Sequence, residues 1–367
     1  MEVAIMGAGL SGLACAITLE KNGITPTIFE KRNKVGDRFV NGEALLDIFT
    51  RPVQDCIASL SNDYGIYLKP TSAIQRMELF SKNEHAVIEG HLGFTNIRGR
   101  NHDSFESQLE QQTEAIIHYN SEKTYEQLLS EYTHVVMSTG DGAYAKKTNN
   151  FREDLSVSIK GATVEGSFDK NTVMAWIDYD ISPFGYCFLI PYSEKEANIS
   201  IAIPELAENA DVEISDRWDT FYSMVQSQLK QKLPITDQFQ ITRYLMGICN
   251  LARIGNTFYV GNNFGTMMPF MGFGQYASIV SGVYAAYDLC GLGSYEELTK
   301  PLRQSYEDAL VLRRALEQIS NEGLDLVIRS LSGYWGKKIF LTKAINPIRV
   351  ASYLLRPYIK MKKGVTS

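Results

Sequence analysis

The sequence contains few cysteines and no long apolar run. Its five cysteines, among 367 residues, are widely spaced without a CxxC pair, so neither a disulfide framework nor a zinc site is indicated. No apolar stretch approaches the roughly 20 residues that a membrane-spanning helix needs. A strand begins at once at the N-terminus, which leaves no room for a signal peptide. These absences predict a cytoplasmic protein without a metal site, whose membrane contact would be peripheral and on the cytoplasmic face.

The sequence also has no overall excess of basic residues, and its net charge is -6 at pH 7. Such a chain repels a phosphate backbone, so we expect no nucleic-acid ligand. The charge is unevenly distributed: residues 326–367 carry nine Lys or Arg and no acid, which leaves 27 basic against 42 acidic residues, or -15, elsewhere. The same segment contains Tyr334, Trp335 and Tyr353. It is either a solvated face with a frayed end or a surface that contacts an anionic membrane.

A βαβ unit is predicted at the start of the chain. An apolar strand over residues 2–6 precedes apolar side chains at helical spacing over 10–19, and a second strand covers 25–30. We expect residues 31–56 to form a loop and then a helix. Since 367 residues exceed the roughly 250–300 that share one core, at least two regions are expected.

The middle of the chain shows repeated strand patterns. Those between residues 156 and 203 predict an antiparallel sheet with one covered face. A helix near 218–231, a strand over 257–260 and a helix over 275–290 follow. From about residue 296 the pattern is largely helical.

A GxGxxG fingerprint, residues 7–12, lies between the first strand and the first helix. Its glycines permit a tight turn and a close approach to a pyrophosphate, and free amides at the helix N-terminus face the phosphates. Glu30 follows Gly9 by 21 positions, where an acid accepts hydrogen bonds from a ribose hydroxyl. The acid disfavours NADP, but spacing does not choose between FAD and NAD, and a turn without a ligand is the alternative. The candidate nucleotide-binding residues are Gly7, Ala8, Gly9, Ser11, Gly12 and Glu30.

Two further segments resemble those of flavoprotein hydroxylases and related reductases. Residues 30–38, EKRNKVGDR, resemble the ExRxxxGD/GR continuation of that superfamily, and residues 257–274 resemble its second FAD motif, strand-GD followed by PxxGxG and a helix. Asn262 replaces the acid that binds the ribityl chain in the family, and its amide can still hydrogen-bond a hydroxyl. The resemblance implies FAD as the cofactor. It adds as candidate cofactor-binding residues Lys31, Arg38, Gly42, Arg100, Thr139, Gly140, Asn262, Gly272, Phe273 and Gly274.

Within this para-hydroxybenzoate hydroxylase-like superfamily, the sequence resembles the geranylgeranyl reductase family. Residues 186–191, YCFLIP, and residues 200–202 after a gap of eight resemble its substrate motif YxWxFP(x7–8)GxG, with four positions substituted. Residues 41–45, NGEAL, resemble its CGEG-like segment, with Asn41 where archaeal members carry cysteine. The likeness extends from residue 1 to about residue 290.

The resemblance implies a mixed α/β fold: a Rossmann-type FAD-binding domain with an inserted antiparallel-sheet substrate domain and a helical C-terminus. The expected division assigns residues 1–55, 100–150 and 245–295 to a discontinuous FAD-binding domain, 56–99 and 151–244 to a substrate-binding domain, and 296–367 to a helical C-terminal region.

The activity that the resemblance implies is hydride transfer from reduced flavin to a carbon–carbon double bond of an isoprenoid or similar apolar lipid. NAD(P)H, ferredoxin or another reductase would supply the electrons. Tyr186, Phe188 and Ile190 alternate along a strand and would share one face, which is either a substrate wall or plain sheet core. The candidate substrate-binding residues are Tyr186, Phe188, Ile190, Pro191, Met268 and Phe270.

Glu43 is the candidate catalytic residue, with a helix cap or a surface carboxylate as the alternative. Asp141-Gly142 resembles the DG motif of the hydroxylases without its trailing Ser and Arg, and an ordinary turn explains it equally well. Two other functions therefore stay open. One is a flavin monooxygenase that hydroxylates an aromatic substrate, and the other is a non-catalytic flavin- or lipid-binding protein.

Overall fold

The computed structural model of the protein describes residues 1–363, and the side chains of residues 1–359. Its strands are β1 Val3–Met6, β2 Thr27–Phe29, β3 Asn41–Leu46, β4 Ser72–Phe80, β5 His85–Arg98, β6 Ile116–His118, β7 His134–Met137, β8 Phe151–Glu165, β9 Thr172–Trp176, β10 Tyr186–Pro191, β11 Glu196–Pro204, β12 Ile235–Cys249, β13 Arg253–Ile254 and β14 Thr257–Tyr259. Its helices are α1 Leu10–Lys21, α2 Asp47–Thr50, α3 Cys56–Tyr64, α4 Phe105–Glu110, α5 Tyr125–Glu131, α6 Ala143–Lys147, α7 Ile214–Leu229, α8 Gln275–Leu289, α9 Tyr295–Leu316, α10 Asn321–Leu331, α11 Tyr334–Leu341 and α12 Pro347–Lys363.

A six-stranded sheet with the order β13-β14-β7-β1-β2-β6 forms the first layer, which carries the predicted nucleotide-binding turn. Its strands are parallel except for the β13-β14 pair. The connection from β1 through α1 to β2 confirms the predicted βαβ unit. Every residue of α1 from Leu10 to Leu19 is buried, because the helix also packs against α8. A helix covered on so many sides needs small side chains, and α1 supplies Gly12, Ala14 and Ala16.

An eight-stranded sheet with the order β12-β8-β11-β10-β9-β4-β5-β3 forms the second layer. Its pairs are antiparallel except for β4 with β9. On β10, Cys187 and Leu189 are buried in a core that includes Trp218 and Phe221 of α7. The strand pairing therefore leaves the alternate side chains of β10 on the opposite face. The predicted fold class is confirmed.

The two outer strands of the larger sheet differ from the sequence prediction. β3 lies within residues 31–56, for which a loop and a helix are expected, and β12 occupies a stretch for which no element is predicted. Both are the outermost strands of the larger sheet, where a strand has only one paired neighbour. β12 alternates half-buried and exposed residues over 237–242, so its period-two pattern carries little apolar contrast. β3 lies in segment 1–55, which is expected in the FAD-binding domain, but it pairs with β5 of the larger sheet. The division into domains stays a prediction.

The C-terminal part of the described chain, α9 to α12, is helical as predicted, and residues 364–367 of the expected helical region lie outside the described residues. No helix within residues 1–363 is both long and apolar enough to cross a membrane.

A close backbone contact between α1 and α8 yields a test of this packing. A Cβ atom on Gly282, in the middle of α8, would lie 2.0 Å from the carbonyl oxygen of Ser11. Gly282→Ala raises helix propensity by about 1 kcal/mol. We nevertheless expect it to lower the free energy of unfolding by about 1–3 kcal/mol, because the helices must separate.

Chemical denaturation monitored by circular dichroism measures this change. Gly140→Ala is the control, since a Cβ atom there meets nothing within 4 Å, and its unfolding free energy should stay within about 0.5 kcal/mol of the wild type. A stabilised Gly282→Ala protein would contradict the contact.

Candidate functional site

The turn between β1 and α1 brings the fingerprint glycines next to Glu30. The Ala8 amide donates to Glu30 Oε2 at 2.8 Å, and the Arg32 amide donates to Oε1 at 3.0 Å. Gly7 has a φ of +110°, and a Cβ atom there would lie 2.5 Å from the Ser138 oxygen, so only glycine fits. No described side chain caps the start of α1. Its first amides are therefore available to an anion.

The other predicted nucleotide residues divide between this turn and more distant positions. Ser11 Oγ lies 2.8 Å from Ser138 Oγ and is buried, so the Ser11 side chain belongs to the floor of the turn. Lys31 is exposed. Arg100 pairs with Asp237 of β12 at 2.7 Å and does not line the large cavity described below.

Thr139 and Gly140 follow β7 and meet the segment after β14. The Asn262 side-chain amide donates to the Gly140 oxygen at 3.0 Å, and the Asn263 amide donates to the Thr139 oxygen at 2.9 Å. These contacts bring together three predicted residues, Thr139, Gly140 and Asn262. Sequence reasoning missed their neighbour Asn263.

Tyr244 completes this group through a bulge in β12. The pairing register shifts between Ile241 and Tyr244, and Arg243 has a φ of +55°. The Tyr244 hydroxyl donates to the Gly140 oxygen at 2.9 Å and accepts from the Asn262 amide at 2.6 Å. Burial raises the pKa of Tyr244 to about 12, so the hydroxyl keeps its proton at neutral pH. No sequence pattern announced this residue, because bulges depend on the partner strand.

The glycine-rich turn before α8 is held against β10. Met271 and Gly272 have φ values of +62° and +72°. The Tyr186 hydroxyl donates to the Met271 oxygen at 2.6 Å, and the ring of Phe273 stacks on that of Phe49 at 4.2 Å. The turn and the predicted substrate strand therefore form one surface, and Gly274 starts α8 without a capping side chain among the described residues.

Glu43 lies at the centre of a polar cluster beside this turn. Its carboxylate accepts hydrogen bonds from Asn41 Nδ2 at 2.9 Å, from Arg98 Nη1 at 3.3 Å and from the Gln275 side chain. Arg98 also pairs with buried Glu106 at 2.8 Å. Burial alone would raise the pKa of Glu106, but Arg98 holds it below its usual range. Glu43 is thus neither a helix cap nor an isolated surface carboxylate.

Sequence reasoning missed Arg98, Glu106 and Gln275. Arg98 and Arg100 are two positions apart, and the family resemblance named Arg100 as the cofactor-binding candidate. Strand β5 ends at Arg98, whose side chain joins the Glu43 cluster, whereas Arg100 lies beyond the strand and pairs with Asp237. The end of the strand decides which arginine reaches the cavity.

Several buried polar atoms near the two turns have no hydrogen-bond partner within the described chain: Arg38 Nε, Asn41 Oδ1, Asn263 Oδ1 and Gln275 Oε1. Burial and the neighbouring Arg98 lower the pKa of Arg38. Buried polar atoms almost always have partners in native proteins, so these positions require polar groups from a ligand or from water. A dinucleotide with a polar ring system satisfies that requirement, and the residues present fit FAD.

A cavity of about 850 Å³ extends from this cluster along the larger sheet. The side chains of Tyr186, Phe188 and Ile190 line it, as does Phe270, while Pro191 and Met268 do not. Sequence reasoning missed much of the remaining wall. That wall includes Met77, Val157, Val173, Met246, Leu316, Leu324, Leu331, Phe340 and Leu355. The shared face of the β10 residues is therefore confirmed as part of a cavity, and their binding role stays a prediction.

Comparisons with known proteins agree with this geometry. Residues 5–47 match the family model of an NAD(P)-binding Rossmann-like domain. A putative flavin-containing monoamine oxidase AofH of Mycobacterium tuberculosis is 34% identical over 77 residues, which is 19% of this chain and 17% of that protein. The match therefore spans less than a fifth of the curated relative and is confined to a short segment.

Solved structures share the fold over nearly the whole chain. A geranylgeranyl bacteriochlorophyll reductase-like protein from Thermoplasma acidophilum has a TM-score of 0.70 at 17% identity, with 98% of both chains covered. The flavin-dependent brominase Bmp2 has a TM-score of 0.68 at 13% identity, with 99% of both chains covered. The protein has the fold of FAD-dependent oxidoreductases, and the comparisons support the prediction of FAD.

The nucleotide end of the site yields a prediction about the cofactor. We expect purified protein to be yellow and to release FAD on denaturation. Gly9→Val should reduce the flavin retained per chain by at least about tenfold, because a branched side chain blocks the approach of the pyrophosphate. A Cβ atom at Gly9 lies 3.9 Å from its nearest neighbour, so the fold should tolerate the change.

Visible absorbance and chromatography of the released flavin measure the effect, with the far-ultraviolet circular dichroism spectrum as the folding control. Colourless wild-type protein that binds NAD tightly would contradict the assignment of FAD.

Proposed function

We propose that the protein is an FAD-dependent reductase of carbon–carbon double bonds in an isoprenoid or similarly long apolar substrate. The observation that carries the proposal is the cavity, whose volume of about 850 Å³ lies in the upper part of the range for ligand sites. Its walls are mostly apolar. The polar lining comes from the cluster around Glu43, from the residues near the two turns, and from Arg313 and Gln318 in and just after α9. Arg38, Asn262 and Gln275 line the same cavity, so a bound flavin would occupy its polar end. The apolar part extends beyond that end along the larger sheet to α10 and α12, which suits a chain better than a single aromatic ring.

FAD would supply the hydride when bound, as flavins do in such enzymes. The Gly7–Gly12 turn and the start of α1 would hold its phosphates, and Glu30 its adenosine ribose. The part of FAD between its phosphates and its ring system would lie between the Gly7–Gly12 turn and the Gly272 turn. It would be held there by Arg38, Asn262 and the Thr139–Gly140 segment. Gln275 and the first amides of α8 would meet the ring system, because they flank the Gly272 turn.

The side chains of β10 bind and orient the substrate in this proposal. Phe188 and Ile190 form its apolar wall, and Tyr186 fixes the turn through the Met271 oxygen. Burial of apolar surface contributes about 0.8 kcal/mol per methylene without a directional contact. The site should therefore accept chains of different length. The same walls exclude water from the reacting carbons.

Reduction of a double bond adds a hydride to one carbon and a proton to the other. The polar groups next to the Gly272 turn are the Tyr186 hydroxyl and the Glu43 cluster. Burial raises the pKa of Tyr186, so its hydroxyl is protonated at neutral pH. Glu43 accepts three hydrogen bonds, which makes it the group that orients Gln275 and Arg98 toward the cavity. We propose that Glu43 organises the polar end of the site.

An anaerobic reaction tests the function. Dithionite-reduced protein is mixed with a detergent-solubilised geranylgeranyl lipid, and flavin absorbance and product mass are followed. Reoxidation with a product two mass units heavier per reduced bond supports the proposal. Oxygen consumption with hydroxylation of an aromatic compound would favour a monooxygenase. A flavin that no alkene reoxidises would favour a binding protein without catalysis.

The β10 wall generates a second test. We expect Phe188→Asp to weaken binding of the apolar substrate by at least about thirtyfold, because a carboxylate would be desolvated against the chain. Phe188→Leu keeps the wall apolar and should change binding by less than about tenfold. Equilibrium titration of oxidised protein with substrate measures both.

Flavin content per chain is the internal control, and it should remain within about twofold in both variants because Phe188 is absent from the nucleotide turn. If the Asp and Leu variants bound the substrate equally well, the proposal that β10 forms part of the substrate-binding wall would be contradicted.

A further inference from the structure

The last helices of the described chain carry an unusual concentration of exposed apolar side chains. Of the eighteen large hydrophobic side chains that are exposed among the described residues, ten lie between residues 326 and 358. We define the C-terminal apolar surface by these ten: Leu326, Val327, Tyr334, Trp335, Ile339, Ile345, Val350, Tyr353, Leu354 and Tyr358. A soluble surface rarely gathers apolar side chains in this way unless it contacts a partner or a membrane.

Helix α12 is apolar on two faces. Ala351 and Leu355 line the cavity, whereas Val350, Tyr353 and Leu354 point away from the protein. A helix that is apolar on opposite sides is normally covered on both. The protein core covers one side of α12, so the other side requires a second apolar environment.

The cavity and the C-terminal apolar surface share side chains. Val327 of α10 lines the cavity and is also 44% exposed. Leu331 and Phe340 line the cavity from neighbouring positions and are half-buried. Leu326, one position before Val327, is 62% exposed and does not line the cavity. Tyr358 of α12 also lines the cavity and is 45% exposed. The cavity therefore meets the apolar surface at Val327 and Tyr358, and its mouth lies there.

Exposed cations accompany the C-terminal apolar surface on α11, the loop that follows it and the start of α12. Lys337, Lys338, Lys343 and Arg349 are exposed, and no carboxylate of the described chain forms an ion pair with any of them. Lys338 Nζ lies 5.4 Å from the centre of the Trp335 ring. Mixed aromatic and basic side chains are typical of surfaces that contact the head-group region of anionic membranes.

From these observations we propose that the C-terminal apolar surface rests on an anionic membrane and that apolar molecules pass from the bilayer into the cavity at Val327. That the molecule which enters is the substrate rests on the proposed function. A second copy of the chain is a poorer occupant, because it would bring the same cations into the contact. The -15 balance of the chain outside residues 326–367 is repelled by the membrane and orients the protein.

Tryptophan fluorescence tests the membrane contact in the full-length protein. Trp176 and Trp218 are 3% and 4% exposed, whereas Trp335 is 64% exposed, so a spectral change reports Trp335. Phosphatidylcholine vesicles with about one third phosphatidylglycerol should shift its emission to the blue, and brominated lipid chains should quench it. Trp335→Phe should abolish the signal while vesicle sedimentation persists.

Charge variants complete the vesicle experiment. Replacement of Lys337, Lys338 and Lys343 by Gln should weaken sedimentation with anionic vesicles by about a hundredfold. Equal sedimentation with pure phosphatidylcholine, or bound protein with unquenched Trp335, would overturn the proposal. Concentration-dependent dimerisation that shifts Trp335 emission without vesicles would replace the membrane with a second copy.

A matched pair of arginine variants tests the mouth without any catalysis. The experiment uses the Trp335→Phe background, in which the buried Trp176 and Trp218 are the remaining tryptophans. Vesicles loaded with cis-parinaric acid methyl ester, an uncharged fluorescent polyene, transfer the probe to the protein, and energy transfer from these two buried tryptophans records its arrival. Val327→Arg should slow the transfer by about tenfold, because it places a charge where the probe enters. Leu326→Arg adds the same charge one position away, outside the cavity wall, and should leave the transfer rate within about twofold.

Equal rates for the two arginine variants would overturn the position of the mouth. The protein could show this difference in transfer rate and still reduce no alkene. That result would support the position of the mouth and refute only the proposed reductase activity.

Discussion

Arg98 is placed between the carboxylates of Glu43 and Glu106, and the polar end of the cavity depends on this arrangement. The three residues come from β5, β3 and α4, and Gln275 attaches α8 to the same cluster through Glu43. Removal of one member of a buried ion pair typically costs about 3–5 kcal/mol, because the remaining charge is left without a partner. The cluster therefore fixes the larger sheet to the layer that carries the predicted nucleotide-binding turn. It also fixes the polar atoms that a flavin would meet.

The rest of the cavity follows from the geometry of β10. A strand has side chains on alternate faces, so one residue set packs against α7 and the other faces the cavity. Tyr186 connects the cavity face to the Gly272 turn, which is where a flavin ring would approach. The apolar walls and the Gly272 turn are consequently parts of one continuous cavity.

The C-terminal helices add the remaining wall and a separate surface. Arg329 and Arg356 pair with Glu84 and Asp308, and these pairs hold α10 and α12 to the protein body. The exposed lysines of α11 and the following loop have no such partner in the described chain, and they remain available to an external anion.

The sequence by itself determined the features that depend on short-range geometry. The GxGxxG turn and Glu30 lie within thirty residues and two adjacent parallel strands, so spacing sufficed to bring them together. The alternation of Tyr186, Phe188 and Ile190 follows from the period of a strand. Tertiary structure decided the choice of Arg98 over Arg100, the bulge that carries Tyr244 to Gly140, and the contact between Glu43 and Gln275, which are 232 positions apart. Local periodicity specifies which side chains share a face, but the element that covers the face depends on long-range pairing, which leaves no local pattern in the sequence.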